Sequence, residues 1–320
     1  MLRIGSLKLS SNLILAPLAG ISDLPFRLIN RAFGCELAFV EMINARSLGY
    51  KSRHTAQMLA TDRADRPLGV QLLGCEPSYI LRALDILKQY KFDLLDFNAA
   101  CPMRKVVRRG EGASLLKEPA RLRELLKLVV KNSDVPVTAK IRIGWDASSV
   151  NAREVALYAQ EAGIQALFVH GRTREQVYSG SVDYRIIAGV KKALSIPVVA
   201  SGDIFSPQLA KKMFDETGCD AISIARGSLG NPWIFGQILE YLRSGTLPQK
   251  PARREIVRVM QEHLHLSTSF YGPKNGVVIF RKFFTWYTKG LRKIRPLREK
   301  AYRIKTPQEM SEAIEKLLGL

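Results

Sequence analysis

Cysteine is scarce in this chain. Cys35, Cys75, Cys101 and Cys219 are spread over 320 positions, with no C-x-x-C pair and no histidine at ligand spacing from any of them. That arrangement excludes a disulfide framework and a structural zinc site from expectation, and leaves free thiols. No apolar run approaches the roughly 18 residues that a membrane-crossing helix needs. Met1 to Leu18 lacks the basic start, apolar stretch and small-residue cleavage site of a secretion signal, so a cytosolic protein is expected, acting as a monomer. Also missing is a G-x-G-x-x-G segment opening a βαβ unit, which argues against a tightly held Rossmann dinucleotide and leaves NADPH open as a transient reductant. Low-complexity tracts are absent, and 47% apolar with 24% charged residues describe a chain folded throughout.

Acidic residues are the other shortage. Against 49 Lys and Arg stand 29 Asp and Glu, a net charge of +20. Residues 245–320 hold 16 basic and 6 acidic side chains, so half of the excess falls on 76 residues. Phe283, Phe284, Trp286, Tyr287 and Tyr302 lie among those cations, a mixture that suits a polyanion-binding module. Nucleic acid, an acidic membrane surface and simple solubility all remain open on charge alone.

Eight short runs rich in Val, Ile, Leu and Phe predict strands: Leu13 to Ala16, Leu37 to Glu41, Leu68 to Leu72, Leu94 to Asn98, Val137 to Ile141, Ala166 to His170, Val198 to Ser201 and Ala221 to Ala225. Between them, Pro77 to Tyr90, Arg121 to Asn132, Ala152 to Ala162 and Pro207 to Thr217 carry apolar residues at spacings of three and four, which predicts helices. Strands such as LILA and ALFV are apolar almost throughout, as parallel strands buried on both faces are. The count of eight favours an α/β (β/α)8 TIM barrel over a doubly wound open sheet. LRIGSLKL before the first strand reads as a hairpin plugging one end, and SGTLPQKPARR (Ser244 to Arg254) as a linker. The expected division is a catalytic barrel over 1–244 and a basic C-terminal helical domain over 245–320, with helices around Ile256, Met260 and Leu264, over Val277 to Leu291 and over Ser311 to Leu317.

Polar residues fall at the C-terminal strand ends or just beyond: Gln71, Asn98, Lys140, Arg142, His170, Ser201, Asp203 and Arg226. In a barrel these share one rim, where active sites sit. The turns after the seventh and eighth strands contain Gly202 and Gly227, with Arg226 beside the second, a combination suited to phosphate. Lys140 would be an internal cation facing the pocket, costly unless an anionic group such as a flavin ring lies against it. Cys101 stands just past the fourth strand beside Lys105 and Arg108. An ordinary thiol is mostly protonated at neutral pH, whereas nearby cations favour thiolate, so residues alone leave it open between proton donor and nucleophile.

A series of motifs in order carries a resemblance to the tRNA-dihydrouridine synthases, and to their bacterial B-type branch most closely. They are APLAGISDLPFR (16–27), VQLLG (70–74), DFNAACP with KVVRRGEGASLL (96–116), KIRIGW (140–145), HGRTREQVYSG (170–180), SGDI (201–204), ARGSLGNPWIF (225–235) and RKFFTWYTKG (281–290). The resemblance implies FMN held by Pro17, Leu18, Ala19, Gln71, Lys140, His170, Ser201, Gly202, Asp203, Ala225 and Arg226. It implies that NADPH reduces FMN, that hydride passes to C6 of uracil, and that Cys101 protonates C5 as general acid. Asn98 and Arg142 match positions that grip the uracil edge, and Lys105 joins them as a substrate-facing cation. The family usually has Gly before the Cys and Asn before the Gly-Asp pair, where this chain has Ala100 and Ser201. A stacked uracil must be flipped out of tRNA, so contacts elsewhere have to offset that cost. Arg281, Lys282, Lys289, Arg292 and Lys293 are expected to hold tRNA phosphates, with Tyr287 or Trp286 free to stack. Rival readings are another flavin barrel, such as a dihydroorotate dehydrogenase or enoate reductase, which needs no basic tail, and a tRNA-binding barrel without flavin.

Overall fold

The computed structural model describes residues 1–49 and 53–319. Strands β1 (Leu2–Ile4) and β2 (Leu7–Leu9) form an antiparallel hairpin. Leu2, Ile4 and Leu9 pack with Ile14, Phe39, Phe168 and Val199, and so plug one end of the barrel. The barrel strands are β3 (Leu13–Leu15), β4 (Ala38–Phe39), β5 (Ile43–Asn44), β6 (Leu68–Leu73), β7 (Leu94–Ala99), β8 (Val137–Arg142), β9 (Ala166–His170), β10 (Val198–Ser201) and β11 (Ala221–Ile224). They run parallel in the order β3-β11-β10-β9-β8-β7-β6-β4, and a bridge between Ile14 and Leu37 closes the ring. The second barrel strand is in two parts, β4 inside the expected run Leu37 to Glu41 and β5 beyond it, each pairing to β6. Between the halves, Glu41 leaves the ladder to accept the Gly20 N–H, and Met42 turns toward Asn98.

Helices follow the strands where apolar spacing put them, among them Pro77–Leu87, Pro119–Lys131, Ala152–Glu161 and Pro207–Thr217. Proline at the first turn recurs because its missing N–H has no helical partner to lose there. One ion cluster fixes the first helix, Leu24–Ala32, to the segment before β6. Asp65 accepts Arg27 Nε at 2.8 Å and Nη2 at 2.7 Å, and Arg31 Nε at 2.7 Å. The Arg27 and Asp65 side chains are fully buried. Removing Asp65 strands two guanidinium groups away from water, so Asp65→Ala is expected to lower stability by about 3–5 kcal/mol in urea unfolding. A loss below about 1 kcal/mol would mean that water reaches the cluster.

No regular element occupies residues 246–252. Beyond them, helices Arg253–Tyr271 and Pro273–Tyr287 pack as a hairpin about Gly272, followed by Arg295–Ala301 and Pro307–Glu315. The short helix Arg295–Ala301 was not predicted. Met260, Phe280, Phe283, Phe284 and Ile314 form its core, and Phe283 stacks on Phe26 of the barrel at 5.6 Å. Tyr271 Oη donates to Asp23 Oδ2 at 3.0 Å, and Lys282 Nζ donates to the Gly20 carbonyl. The helical region is thereby seated on the loop that follows β3.

Candidate active site

The C-terminal strand ends enclose a cavity of about 570 Å³. Every residue assigned to the cofactor lines it: Pro17, Leu18, Ala19, Gln71, Lys140, His170, Ser201, Gly202, Asp203, Ala225 and Arg226. Asn98, Cys101 and Arg142 line the same cavity. Parallel register produces this convergence, pairing Asn98 with Lys140, Arg142 with His170, and Ser201 with both His170 and Ser223.

Lys140 donates from Nζ to Ser201 Oγ at 3.1 Å, and burial pulls its ammonium down to about 8. The shorter arm of Ser201 therefore still serves the lysine, while Ser201 Oγ donates to the Val169 carbonyl at 3.2 Å. Burial, then the surrounding Arg142, Lys140, Arg172 and Arg226, hold His170 down to about 2, so its imidazole is neutral. Among the described residues His170 Nε2 is buried without a partner, and so is Ser223 Oγ. Asp203 is braced between Arg172 Nη2 and Arg226 Nη2, the latter at 2.6 Å. Its carboxylate therefore holds Arg226 at the cavity wall. Arg226 also lies over the Tyr178 ring at 4.4 Å and near Phe205 at 5.4 Å.

These residues fit FMN. Orphaned polar atoms on His170 and Ser223 and a buried Lys140 ammonium with no ion pair within 4 Å among the described residues suit a polar, anionic occupant, and Pro17, Leu18 and Met42 suit an apolar ring. Gly202 adopts φ +133°, and a side-chain carbon on Gly227 would meet the Ile204 carbonyl oxygen at 1.9 Å. Both turns thus depend on glycine.

Cys101 is half-buried, and Cys35, Cys75 and Cys219 are buried. Burial raises the Cys101 thiol above its ordinary value, outweighing the Met103 backbone hydrogen bond and the Arg142 charge. That balance favours the protonated form. Ala100 fits its loop with no left-handed backbone angle.

Asn98 lines the cavity and is also engaged by the protein. Its Nδ2 donates to Gln71 Oε1 at 2.7 Å and lies 3.1 Å from Met42 Sδ, while Oδ1 accepts the Ala100 and Cys101 N–H groups, both at 2.9 Å. The amide is committed to the protein, with only the weak Met42 contact to exchange for a uracil carbonyl. Arg142 retains more freedom. Nε donates to the Ala100 carbonyl and Nη1 to the Thr173 and Val177 carbonyls, while Nη2 has no partner among the described residues.

Four assignments change. Tyr287 is 5% exposed, with its hydroxyl 3.1 Å from His263 Nδ1, so it belongs to the helical core and offers no stacking face. Arg281 donates from Nε to the Ile304 carbonyl at 3.0 Å, and Lys282 is held by the Gly20 carbonyl, so both are struts. Lys105 is exposed on the short helix Arg104–Val107, outside the cavity. Lys289, Arg292 and Lys293 are exposed as expected for phosphate contacts. Sequence reasoning missed Ser223, Tyr178, Phe205 and Met42 on the cavity wall. Ser223 had a signal, because it interrupts an apolar strand one residue before its end.

The family model described as "Dihydrouridine synthase (Dus)" matches residues 14–319. The chain belongs to the dihydrouridine synthase family. Its relatives include tRNA-dihydrouridine synthase B of Pseudomonas aeruginosa, 42% identical over 94% of this chain and 91% of that protein. Another is tRNA-dihydrouridine synthase B of Pasteurella multocida, 38% identical over 100% of this chain and 96% of that one. As a dihydrouridine synthase the chain is an oxidoreductase acting on a carbon–carbon bond. Solved structures share its fold. Histamine dehydrogenase from Rhizobium sp. 4-9 superposes with a TM-score of 0.59 at 15% identity, covering 83% of this chain and 50% of that one. The old yellow enzyme homologue from Zymomonas mobilis gives 0.54 at 14% identity, covering 78% and 93%.

Proposed function

We propose that this chain is a flavin-dependent tRNA-dihydrouridine synthase that reduces the C5–C6 bond of uridine, with Cys101 as the proton donor. The observation that carries this reading is the convergence of Cys101 with Lys140, His170 and Arg226 on one cavity. FMN bound there, reduced by NADPH as a transient reductant, would supply hydride to C6. Lys140 offers its charge to the flavin ring, where negative charge gathers on reduction, and His170 and Arg226 serve the phosphate. Arg142 directs its unpartnered Nη2 at a uracil carbonyl, which makes C6 more electrophilic. Cys101 then gives its proton to C5.

In this reading residues 1–244 form the catalytic barrel and residues 245–320 the tRNA-binding domain, acting as a monomer in the cytoplasm. No helix among the described residues is long and apolar enough to cross a membrane. Of the five expected phosphate contacts Lys289, Arg292 and Lys293 are retained, and Arg281 and Lys282 are set aside. Reversing all three to Glu is expected to weaken tRNA binding at least tenfold and to reduce the slope of log affinity against log salt by about 2–3. Filter binding across a salt series reads both, and an unchanged slope would remove these residues from the interface. Mapping dihydrouridine in tRNA from cells lacking the chain tests the activity itself: one or more sites must revert to uridine.

A further inference from the structure

Asp96 lies beneath the cavity at 1% exposure, facing neither solvent nor the mouth. The registers of β6, β7 and β8 set Gln71, Asp96 and Thr138 side by side. Thr138 Oγ1 donates to Asp96 Oδ1 at 2.7 Å, and Gln71 Nε2 donates to Oδ2 at 2.6 Å. A carboxylate only accepts, so Gln71 must turn its amide nitrogen down and its oxygen up. Asn98 Nδ2 donates to that oxygen at 2.7 Å, which leaves Asn98 Oδ1 to accept the N–H groups of Ala100 and Cys101, both at 2.9 Å.

The far end of the chain demands the same orientation, because backbone N–H groups only donate. Reversing Gln71 would set donor against donor or acceptor against acceptor at two contacts, and reversing Asn98 at three, each costing about 1–3 kcal/mol where buried. The remaining peptide groups are also held: Arg142 Nε donates to the Ala100 carbonyl at 2.9 Å, and the Ala113 N–H to the Cys101 carbonyl at 3.1 Å.

We propose that Asp96 is a positioning residue for Cys101: through Gln71 and Asn98, its carboxylate sets the polarity of a hydrogen-bond chain that fixes the backbone carrying the thiol. The proposal deepens, and rests on, the reading of Cys101 as proton donor. A buried carboxylate in the electrostatic reach of Lys140 has another conceivable use, as its counter-charge. The two uses differ in what asparagine does. Asp96→Asn keeps an oxygen for Gln71 Nε2 and lets the Thr138 hydroxyl reverse to accept, so the chain survives although the charge is lost. Asp96→Ala removes both.

The test uses the flavin-loaded full chain and follows two readouts. Cys101 is the one cysteine that is not buried, so its rate of alkylation by iodoacetamide, read by peptide mass spectrometry, reports on its loop. Steady-state reduction of unmodified tRNA gives kcat and KM. Asp96→Ala is expected to alkylate about tenfold faster and to lose about 10- to 100-fold in kcat, with KM for tRNA and retention of FMN within twofold. Asp96→Asn is expected to stay within about twofold of the parent in all four. Asp96→Leu, an apolar group of similar volume, serves if the alanine variant does not fold, and is expected to match it. The proposal is overturned if Asp96→Ala or Asp96→Leu leaves alkylation and kcat unchanged. It is also overturned if Asp96→Asn falls with them, since charge beside Lys140 is then what matters. Alkylation reads the loop whether or not Cys101 is the acid. Should Cys101→Ala retain full turnover while the Asp96 variants still expose the thiol, the clamp stands and the acid assignment fails.

Discussion

Cys101→Ala is expected to keep the yellow colour of bound flavin and to reduce tRNA about 10²- to 10⁴-fold more slowly, the range for loss of a positioned general acid. On the proposed reading the thiol contributes a proton, not cofactor affinity, because the groups suited to FMN are Lys140, His170, Arg226 and the glycine turns. Its environment supports that role, since burial raises its pKa and keeps the S–H intact at neutral pH. The sign of the pH dependence follows. The acid form persists below the raised pKa and is lost as pH rises through it, so kcat should hold across neutral pH and fall only above the ordinary thiol range of about 8.5. Dihydrouridine content by mass spectrometry measures the turnover, and flavin absorbance measures retention. Full turnover in the variant would remove Cys101 from the mechanism.

Lys140→Met is expected to have the next largest effect, an approximately 10²- to 10³-fold loss of turnover at saturating FMN, together with weaker FMN binding. Lys140 is a buried ammonium with Ser201 as its hydrogen-bond partner, and burial is the main reason its pKa falls to about 8. An anionic ligand is what such a cation lacks. The protein without flavin should therefore bind FMN progressively less well as pH rises through about 8, where the ammonium gives up its proton. Flavin fluorescence quenching across pH 6.5–9.5 follows this directly, a window of about one and a half units either side. The methionine variant should lose the pH dependence along with the affinity. A variant that binds FMN as the parent does would place the ring away from Lys140.

Much of this site was legible because parallel strands buried on both faces read as unbroken apolar runs, so a polar residue at a strand end stands out. His170 after ALFV and Ser201 after VVA are cases of this kind, Lys140 breaks its strand two residues before the end, and parallel register delivers all three to one cavity. Side-chain commitments were not legible. Asn98 and Gln71 read as ligand contacts and line the cavity, but Gln71 also donates to the buried Asp96 and Asn98 also accepts the Ala100 and Cys101 N–H groups. Nor does composition say which way a helix faces. Arg281, Lys282 and Tyr287 looked like an RNA-binding mixture, but Phe280, Phe283, Phe284 and Tyr287 recur at helical spacing and bury Tyr287. That periodicity was the available signal. The split of the second barrel strand had none, because it depends on Glu41 reaching Gly20 across the rim.

The most direct test is a single turnover. Protein reconstituted with FMN is reduced anaerobically, freed of reductant and mixed with unmodified tRNA, while flavin absorbance is followed and dihydrouridine is counted. The expected result is return of the oxidised flavin spectrum with one dihydrouridine formed per flavin. A spectrum that stays bleached in the presence of unmodified tRNA, or protein that never takes up flavin, would contradict the account.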